Sequence, residues 1–353
     1  MKNTFGQYVS VTLFGESHGE CIGAVLDGLP AGYEINDELI KKRLYQRRPS
    51  GEISTSRAET DEFDIASGVF GGKTTGAPLC IIIKNSDVSS TDYEKNHGIA
   101  RPSHADLTAH IKYSGFEDYR GGGHLSGRIT AALVAAGSIC EGILKEKNIF
   151  TETHILSCGG VSDRKFSDVE NDMKILSGKD FPVLSDDIGD KMKAAILAAK
   201  RDGDSVGGVT ETAVLGLPAG VGDPLFDSLE SVISHIMFAI PAVKGVQFGA
   251  GFDFASMRGS DANDDLFLRD GKIATDTNNS GGINGGISNG MPIIFSCAVR
   301  PTPSIAKEQR TVDFLNNKET VISCAGRHDP SILPRICPVI TAATSIALCS
   351  PAF

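Results

Sequence analysis

The sequence predicts a mixed α and β protein in one continuous domain, and three observations carry that reading. Short strand-like apolar runs alternate with longer stretches of helical period. The chain of 353 residues is 41% hydrophobic and 22% charged, so it can bury a large core. No Pro/Ser-rich linker divides it, which assigns residues 1–353 to a single domain.

In chain order, strand-like runs at 8–14 and 22–26 precede a helical pattern at 37–47. Runs at 63–69 and 78–83 precede helical patterns at 104–113 and 125–147. The last of these is the clearest, because Leu125, Ile129, Leu133, Ala136, Ile139 and Ile143 make one apolar stripe. A run at 151–156 precedes a helix at 186–201, and a run at 210–215 precedes a helix at 225–240. Runs at 245–248 and 293–299 then lead to a closing helix at 331–349. The stretches 85–103 and 257–292 are glycine-rich or polar with little periodicity, as functional loops often are.

One stretch returns. AVLDGLPAG at 24–32 is echoed by AVLGLPAG at 213–220, each a strand-like run before a turn, with a helical pattern after it. Two readings stay open: a duplicated unit giving two similar halves, or shared turn chemistry.

Composition narrows the function. A net charge of −10 argues against a general nucleic-acid partner, which needs basic surface. Eight scattered cysteines without a CxxC pair fit reduced thiols in a cytoplasmic protein better than a disulfide or zinc framework. The start MKNTFGQYVS lacks the apolar run of a signal peptide, and no window of 18 apolar residues predicts a membrane span. Forty glycines, about 11% where roughly 7% is usual, imply backbone that turns sharply or approaches a ligand.

Several tempting motifs fail on spacing. GVFGGKT at 68–74 would need a glycine at 67 to be a P-loop, and that residue is Ser67. No GxGxxG opens a helix and no HExxH occurs. His104 and His110 are six apart, so no metal site is expected.

Five loops remain: FGESHG at 14–19, QRRPSG at 46–51 followed by Arg57, ARPSHADLTAH at 100–110, YRGGGHLSGR at 119–128 and GRHDPSILPR at 326–335. In the third, Ser103 is placed to cap a helix beginning at His104. Singly, each has an ordinary structural explanation, such as a surface histidine or arginines complementing a helix dipole. Together they bring arginine and histidine to glycine-freed backbone in an acidic protein. That combination suits a small anion carrying phosphate and carboxylate, with histidine as proton donor.

The motifs FGESHG, RRPSG, RPSHAD, YRGGGHLSGR, AVKGVQFG, GGINGGISNG, RPTPSI and GRHDPSILPR resemble, in order and approximate spacing, those of the chorismate synthase family. The resemblance runs from Phe5 to about Val339. It implies an α+β fold of the β-α-β sandwich type, with helices packed between antiparallel sheets, and a homotetramer. It further implies a 1,4-anti elimination of phosphate from 5-enolpyruvylshikimate 3-phosphate, giving chorismate at the end of the shikimate pathway. Reduced FMN is the implied cofactor of this carbon–oxygen lyase, and NADPH would act only as an external reductant.

By that resemblance His18 is the candidate general acid toward the leaving phosphate. His104 lies against the flavin ring, and Asp329 assists removal of the ring proton. FMN contacts carry over to His124, Leu125, Ser126, Ala242, Gly285, Arg300, Pro301, Thr302, Pro303, Ser304 and Arg327. Arg47, Arg48, Arg128 and Arg335 are the candidate clamps on substrate phosphate and carboxylates. The chain departs from many members at His124, where they carry arginine in GGGR. It departs again at Ile53, another arginine position, and at Thr341, where they carry glutamate. Two rival classes are a flavin redox carrier, which has no use for the arginines, and a non-catalytic sugar-phosphate binder, which has no use for two histidines and an aspartate beside a flavin.

Overall fold

The computed structural model describes residues 2–49, 51–55, 60–86, 96–269, 271–324 and 328–349. Two five-stranded antiparallel sheets enclose a layer of helices. The first sheet contains β1 (Ser10–Gly15), β2 (Cys21–Asp27), β3 (Phe63–Ser67) and β4 (Leu79–Lys84), with Thr4–Phe5 on one edge. Its register pairs Ile22 with Ile83, Ala24 with Ile81 and Leu26 with Leu79. All six side chains are fully buried, so one face of the central strand pair is wholly apolar.

The second sheet contains β5 (Phe150–Cys158), β6 (Gly208–Leu215), β7 (Val243–Phe248) and β8 (Ile293–Val299), with Val161–Ser162 on its edge. The strand order is β1-β2-β4-β3 in one sheet and β5-β6-β8-β7 in the other. In each half, a helix follows the second strand: α1 (Asp37–Arg47) after β2 and α6 (Leu229–Met237) after β6. In each half, a 17-residue helix closes the unit: α3 (Thr130–Glu146) and α7 (Leu333–Cys349). The repeated AVL(D)GLPAG stretches end β2 and β6, the third strands in their sheets, so the echo marks two halves of one topology.

The middle layer explains one departure from the sequence pattern. The apolar stripe along 125–143 predicts one buried helix face, yet α3 is buried on every side from Thr130 to Leu144. It rests on β2 and β4 and is covered by α1 and α7, so it has no solvent face. A Cβ added at Gly137 would lie 2.4 Å from the Ala342 carbonyl oxygen, which locates the close approach of α3 and α7. The stretch Gly127–Glu146 is long and apolar enough to cross a bilayer, but it is 94% buried inside the molecule. On the second sheet, Thr341 of α7 donates to Thr153 Oγ1 at 2.9 Å, and Thr153 lies 3.0 Å from Thr212 Oγ1. One apolar cluster runs through both sheets and the helices between them.

Other boundaries shift for local reasons. The stretch 120–129 forms short 3-10 turns with Gly121, Gly122 and Gly123 all at positive φ, so the long helix begins only at Thr130. The helix expected from His104 is α2 (Asp106–Tyr113), with Ala105 at its N-cap and no side-chain cap. Ser103 is left-handed at φ 62°, and the Asp106 carboxylate turns back to take three hydrogen bonds from Arg101. The helix expected at 225–240 splits into a 3-10 turn and α6.

Two elements escaped the pattern. α4 (Val169–Leu176) is capped by Asp168, whose side chain accepts from Asn171 N, and it lies before α5 (Asp186–Arg201). The hairpin of β9 (Gln309–Asp313) and β10 (Lys318–Ile322) accepts at Val312 O from Ala100 N and donates from Phe314 N to Gly98 O. It thereby fixes the loop that leads into His104. Within 257–292 lie a helical turn, Gly259–Ala262, and two short hairpins.

Candidate active site

A cleft of about 1710 Å³ opens where the loops of both halves meet. His18 enters it from the turn between β1 and β2. That turn is locked to the glycine run, because Ser17 N donates to Gly123 O at 3.1 Å and Ser17 Oγ donates to Arg120 O at 3.2 Å. With its proton spent there, Ser17 Oγ accepts from His18 Nδ1 at 3.1 Å. His18 is buried, so its ring is held in one orientation. Asn85 staples the same turn, donating to the carbonyls of Glu16 and Gly19, and its oxygen accepts from Arg128 Nε at 2.9 Å.

His104 also lines the cleft, its Nε2 2.7 Å from Ser304 Oγ. Burial and the Arg101 guanidinium push its pKa down to about 4, with Arg300 and His328 adding to the effect and Asp106 opposing it. The ring is therefore neutral at pH 7. His328 in the same cleft is also pushed down, chiefly by burial. Asp329 is buried beside it. One carboxylate oxygen accepts from Thr55 N at 2.9 Å and the other takes a close ion pair from Arg335.

The arginines are more constrained than the sequence suggests. Asp61 is buried at φ 50° and bridges two of them, Arg47 through one oxygen at 3.2 Å and Arg128 through the other in a shorter contact. Arg47 further donates to Thr130 Oγ1 and Gly127 O, and Arg128 to Lys84 O. Arg335 donates to the Arg47 carbonyl as well as to Asp329. Arg47, Arg128 and Arg335 line the cleft as anchored groups whose charge is largely met by Asp61 and Asp329.

The segment 300–304 behaves differently. Arg300 N donates to Ala242 O at 3.0 Å, with Ala242 itself at φ 77°. In the cleft wall, Arg300 Nε and Thr302 Oγ1 are both buried without a hydrogen-bond partner among the described residues. Buried polar atoms of this kind are exceptional in a folded protein, and a ligand oxygen is one group that satisfies them.

The family model described as chorismate synthase matches residues 9–352. The chain belongs to the chorismate synthase family. It is 44% identical over 343 residues to a chorismate synthase of Pyrococcus abyssi, covering 97% of this chain and 95% of the relative. It is 42% identical over 345 residues to one of Methanosarcina mazei, covering 98% and 94%. A solved structure, "Crystal Structure of Chorismate Synthase", superposes with a TM-score of 0.77 at 28% identity, covering 98% of this chain and 91% of that one. The sandwich of helices between antiparallel sheets is the architecture this family membership implied.

Among the residues singled out from chorismate synthase motifs, the cleft gathers His18, His104, Asp329, His124, Leu125, Ser126, Ala242, Arg300, Thr302, Pro303 and Ser304. His124 is fixed by Nδ1, which donates to Gly15 O at 2.9 Å, and Ser126 Oγ accepts from Arg128 N. Three residues are placed elsewhere. Gly285 sits exposed in the turn of a short hairpin, and Pro301 and Arg48 do not line the cleft. Arg48 closes α1 and buries its Nε without a partner among the described residues. Arg327 and Arg57 lie outside the described residues. Of the departures, Ile53 packs against the apolar core, and Thr341 donates to Thr153. The sequence reading missed Asp61, Asn85 and Thr55, whose roles come from pairings distant in the chain, and Arg101, which pairs locally with Asp106. It also missed His97, whose ring stacks on Tyr119 at 4.0 Å at the cleft wall.

Proposed function

We propose that this chain is a chorismate synthase, taking 5-enolpyruvylshikimate 3-phosphate to chorismate and phosphate by a 1,4-anti elimination with reduced FMN bound. The observation that carries the reading is one cleft holding His18, His104 and Asp329 together with Arg300 Nε and Thr302 Oγ1, which have no partner among the described residues. Those two donors fit a phosphate or carbonyl oxygen of the flavin, and a cleft of about 1710 Å³ has room for cofactor and substrate side by side. Arg300, Thr302, Ala242 and the 124–126 turn are the residues that would hold FMN. Bound there, reduced flavin would supply electron density to the allylic system without net redox change.

The protein's own groups position the substrate and move protons. His18 keeps its Nδ1 proton on Ser17, so a proton given to the departing phosphate leaves from Nε2 of the imidazolium. Neutral His104 gains basicity when an anionic ring lies beside it, because nearby negative charge favours imidazolium. Asp329, oriented by Thr55 N–H and Arg335, is the base on the side of the ring proton. Arg47, Arg128 and Arg335 offer the substrate N–H donors from guanidinium groups that Asp61 and Asp329 hold in place.

The reading places the enzyme in the cytoplasm, as a carbon–oxygen lyase assembled as a homotetramer, with NADPH as an external reductant only. The deciding experiment supplies the substrate and chemically reduced FMN under anaerobic conditions, with NADPH omitted. Chorismate and phosphate should form in equal amounts; absence of both from a folded protein refutes the activity.

A further inference from the structure

We propose that Ser304 is a positioning residue for His104: its hydroxyl, carried on a proline-braced segment, fixes the orientation of the imidazole in the cleft wall. The proposal rests on the reading of this cleft given above. The two residues are 200 positions apart, yet His104 Nε2 and Ser304 Oγ lie 2.7 Å from each other, a short contact for a nitrogen and a hydroxyl oxygen. Ser304 is buried, so water does not compete for its hydroxyl.

Both sides of this hydrogen bond are built to stay still. Pro301 and Pro303 flank Thr302 and restrict φ along the segment. The same segment is tied down at three points. Arg300 N donates to Ala242 O, Ser205 Oγ to Thr302 O at 2.6 Å and Gln309 Nε2 to Pro303 O at 3.3 Å. On the other side, Ser103 holds a left-handed φ of 62° and His104 N donates to Arg101 O. That strained turn presents the ring toward Ser304 while Arg101 is held by Asp106.

The electrostatic setting makes this neutral contact matter. The charged and titratable groups acting on His104 are Arg101, Arg300, Asp106 and His328. The two arginines repel an imidazolium and do not orient a neutral ring. Ser304 supplies the directional bond to Nε2. Motif matching groups Ser304 with the flavin contacts; in this geometry its hydroxyl is committed to the histidine.

The test is made on 15N-histidine-labelled protein without FMN or substrate, the His104 ring signals being assigned by their loss in His104→Gln. Ser304→Ala should shift the His104 ring-nitrogen signals, and Ser304→Thr, which keeps the hydroxyl, should restore them. The other histidines report that the fold is intact. With reduced FMN, kcat of Ser304→Ala should fall about tenfold while the FMN dissociation constant stays within about twofold. Unchanged His104 signals in Ser304→Ala overturn the proposal. So does a loss of FMN affinity with those signals unmoved, which would return Ser304 to the flavin. A wild-type protein that makes no chorismate would refute the proposed activity, while the ring signals would still decide the role of Ser304.

Discussion

The backbone of Gly121 passes directly against the His18 ring: a Cβ at Gly121 would lie 2.2 Å from His18 Cε1, at a backbone φ of 61°. The glycine run is therefore shaped around the histidine it covers. Gly121→Ala should cost about 1–2 kcal/mol in backbone strain and displace the ring. Turnover should fall at least about tenfold. A variant with wild-type kcat/KM would show that His18 does not depend on this contact.

His18→Ala should lower turnover by about 10²–10⁴, the range for a lost general acid. Substrate affinity, measured by calorimetry, should hold, because Arg47, Arg128 and Arg335 keep their anchors. Unreduced turnover would remove His18 from the proton transfer.

Asp61 serves two buried arginines with one carboxylate, and all three side chains are nearly inaccessible. Asp61→Ala leaves Arg47 and Arg128 buried without their counter-charge, so it should destabilise the fold by about 3–5 kcal/mol. Urea unfolding measures this directly. A loss below about 1 kcal/mol would mean that Thr130, Asn85 and the backbone carbonyls suffice for both guanidinium groups.

His104 gives the fold a defined acid sensitivity. Its folded pKa near 4 lies below the value near 6.5 of an unfolded histidine. Above about pH 6.5 both states are neutral and nothing is lost. As pH falls from 6.5 to 4, the unfolded chain takes up a proton that the folded site resists, and stability drops. The loss is complete below about pH 4 and is on the order of 3 kcal/mol. His328, pushed the same way, adds to it. His104→Gln should flatten unfolding midpoints between pH 7 and pH 4; an identical pH profile would contradict the shift.

What was legible in the sequence follows from how local each signal is. The strand pairs carrying Ile22, Ala24 and Leu26 against Leu79, Ile81 and Ile83 announce themselves as short apolar runs. The AVL(D)GLPAG echo marks corresponding strands of two sheets because the same turn recurs at the same topological place. His18, His104 and Asp329 were recognisable from motifs, since each sits in a contiguous loop. Asp61 was not, because its role exists only where residues 47 and 128 converge on it. α4 carried a readable signal, the Asp168 cap and acidic first turn, but its eight residues are too few for a clear period. The all-round burial of α3 was hidden too, because a single chain does not show that a second helix covers its remaining side.

Asp329 and Arg335 offer the sharpest separation between holding a site together and moving a proton. One oxygen of Asp329 accepts from Thr55 N, and the other is paired with Arg335. Asp329→Asn can still accept from Thr55 N through its amide oxygen, so the loop should keep its place. The variant gives up the ion pair and the basicity together. FMN and substrate binding, followed by flavin absorbance and calorimetry, should therefore change little, while turnover drops at least about tenfold. Arg335→Lys should break the pairing geometry and leave the carboxylate basic, because lysine lacks the guanidinium fork that reaches both Asp329 and the Arg47 carbonyl. If Asp329 is the base, Asp329→Asn is the slower of the two variants. If Asp329 serves only to hold Arg335, the two variants should be equally impaired, and the proton must leave by another group.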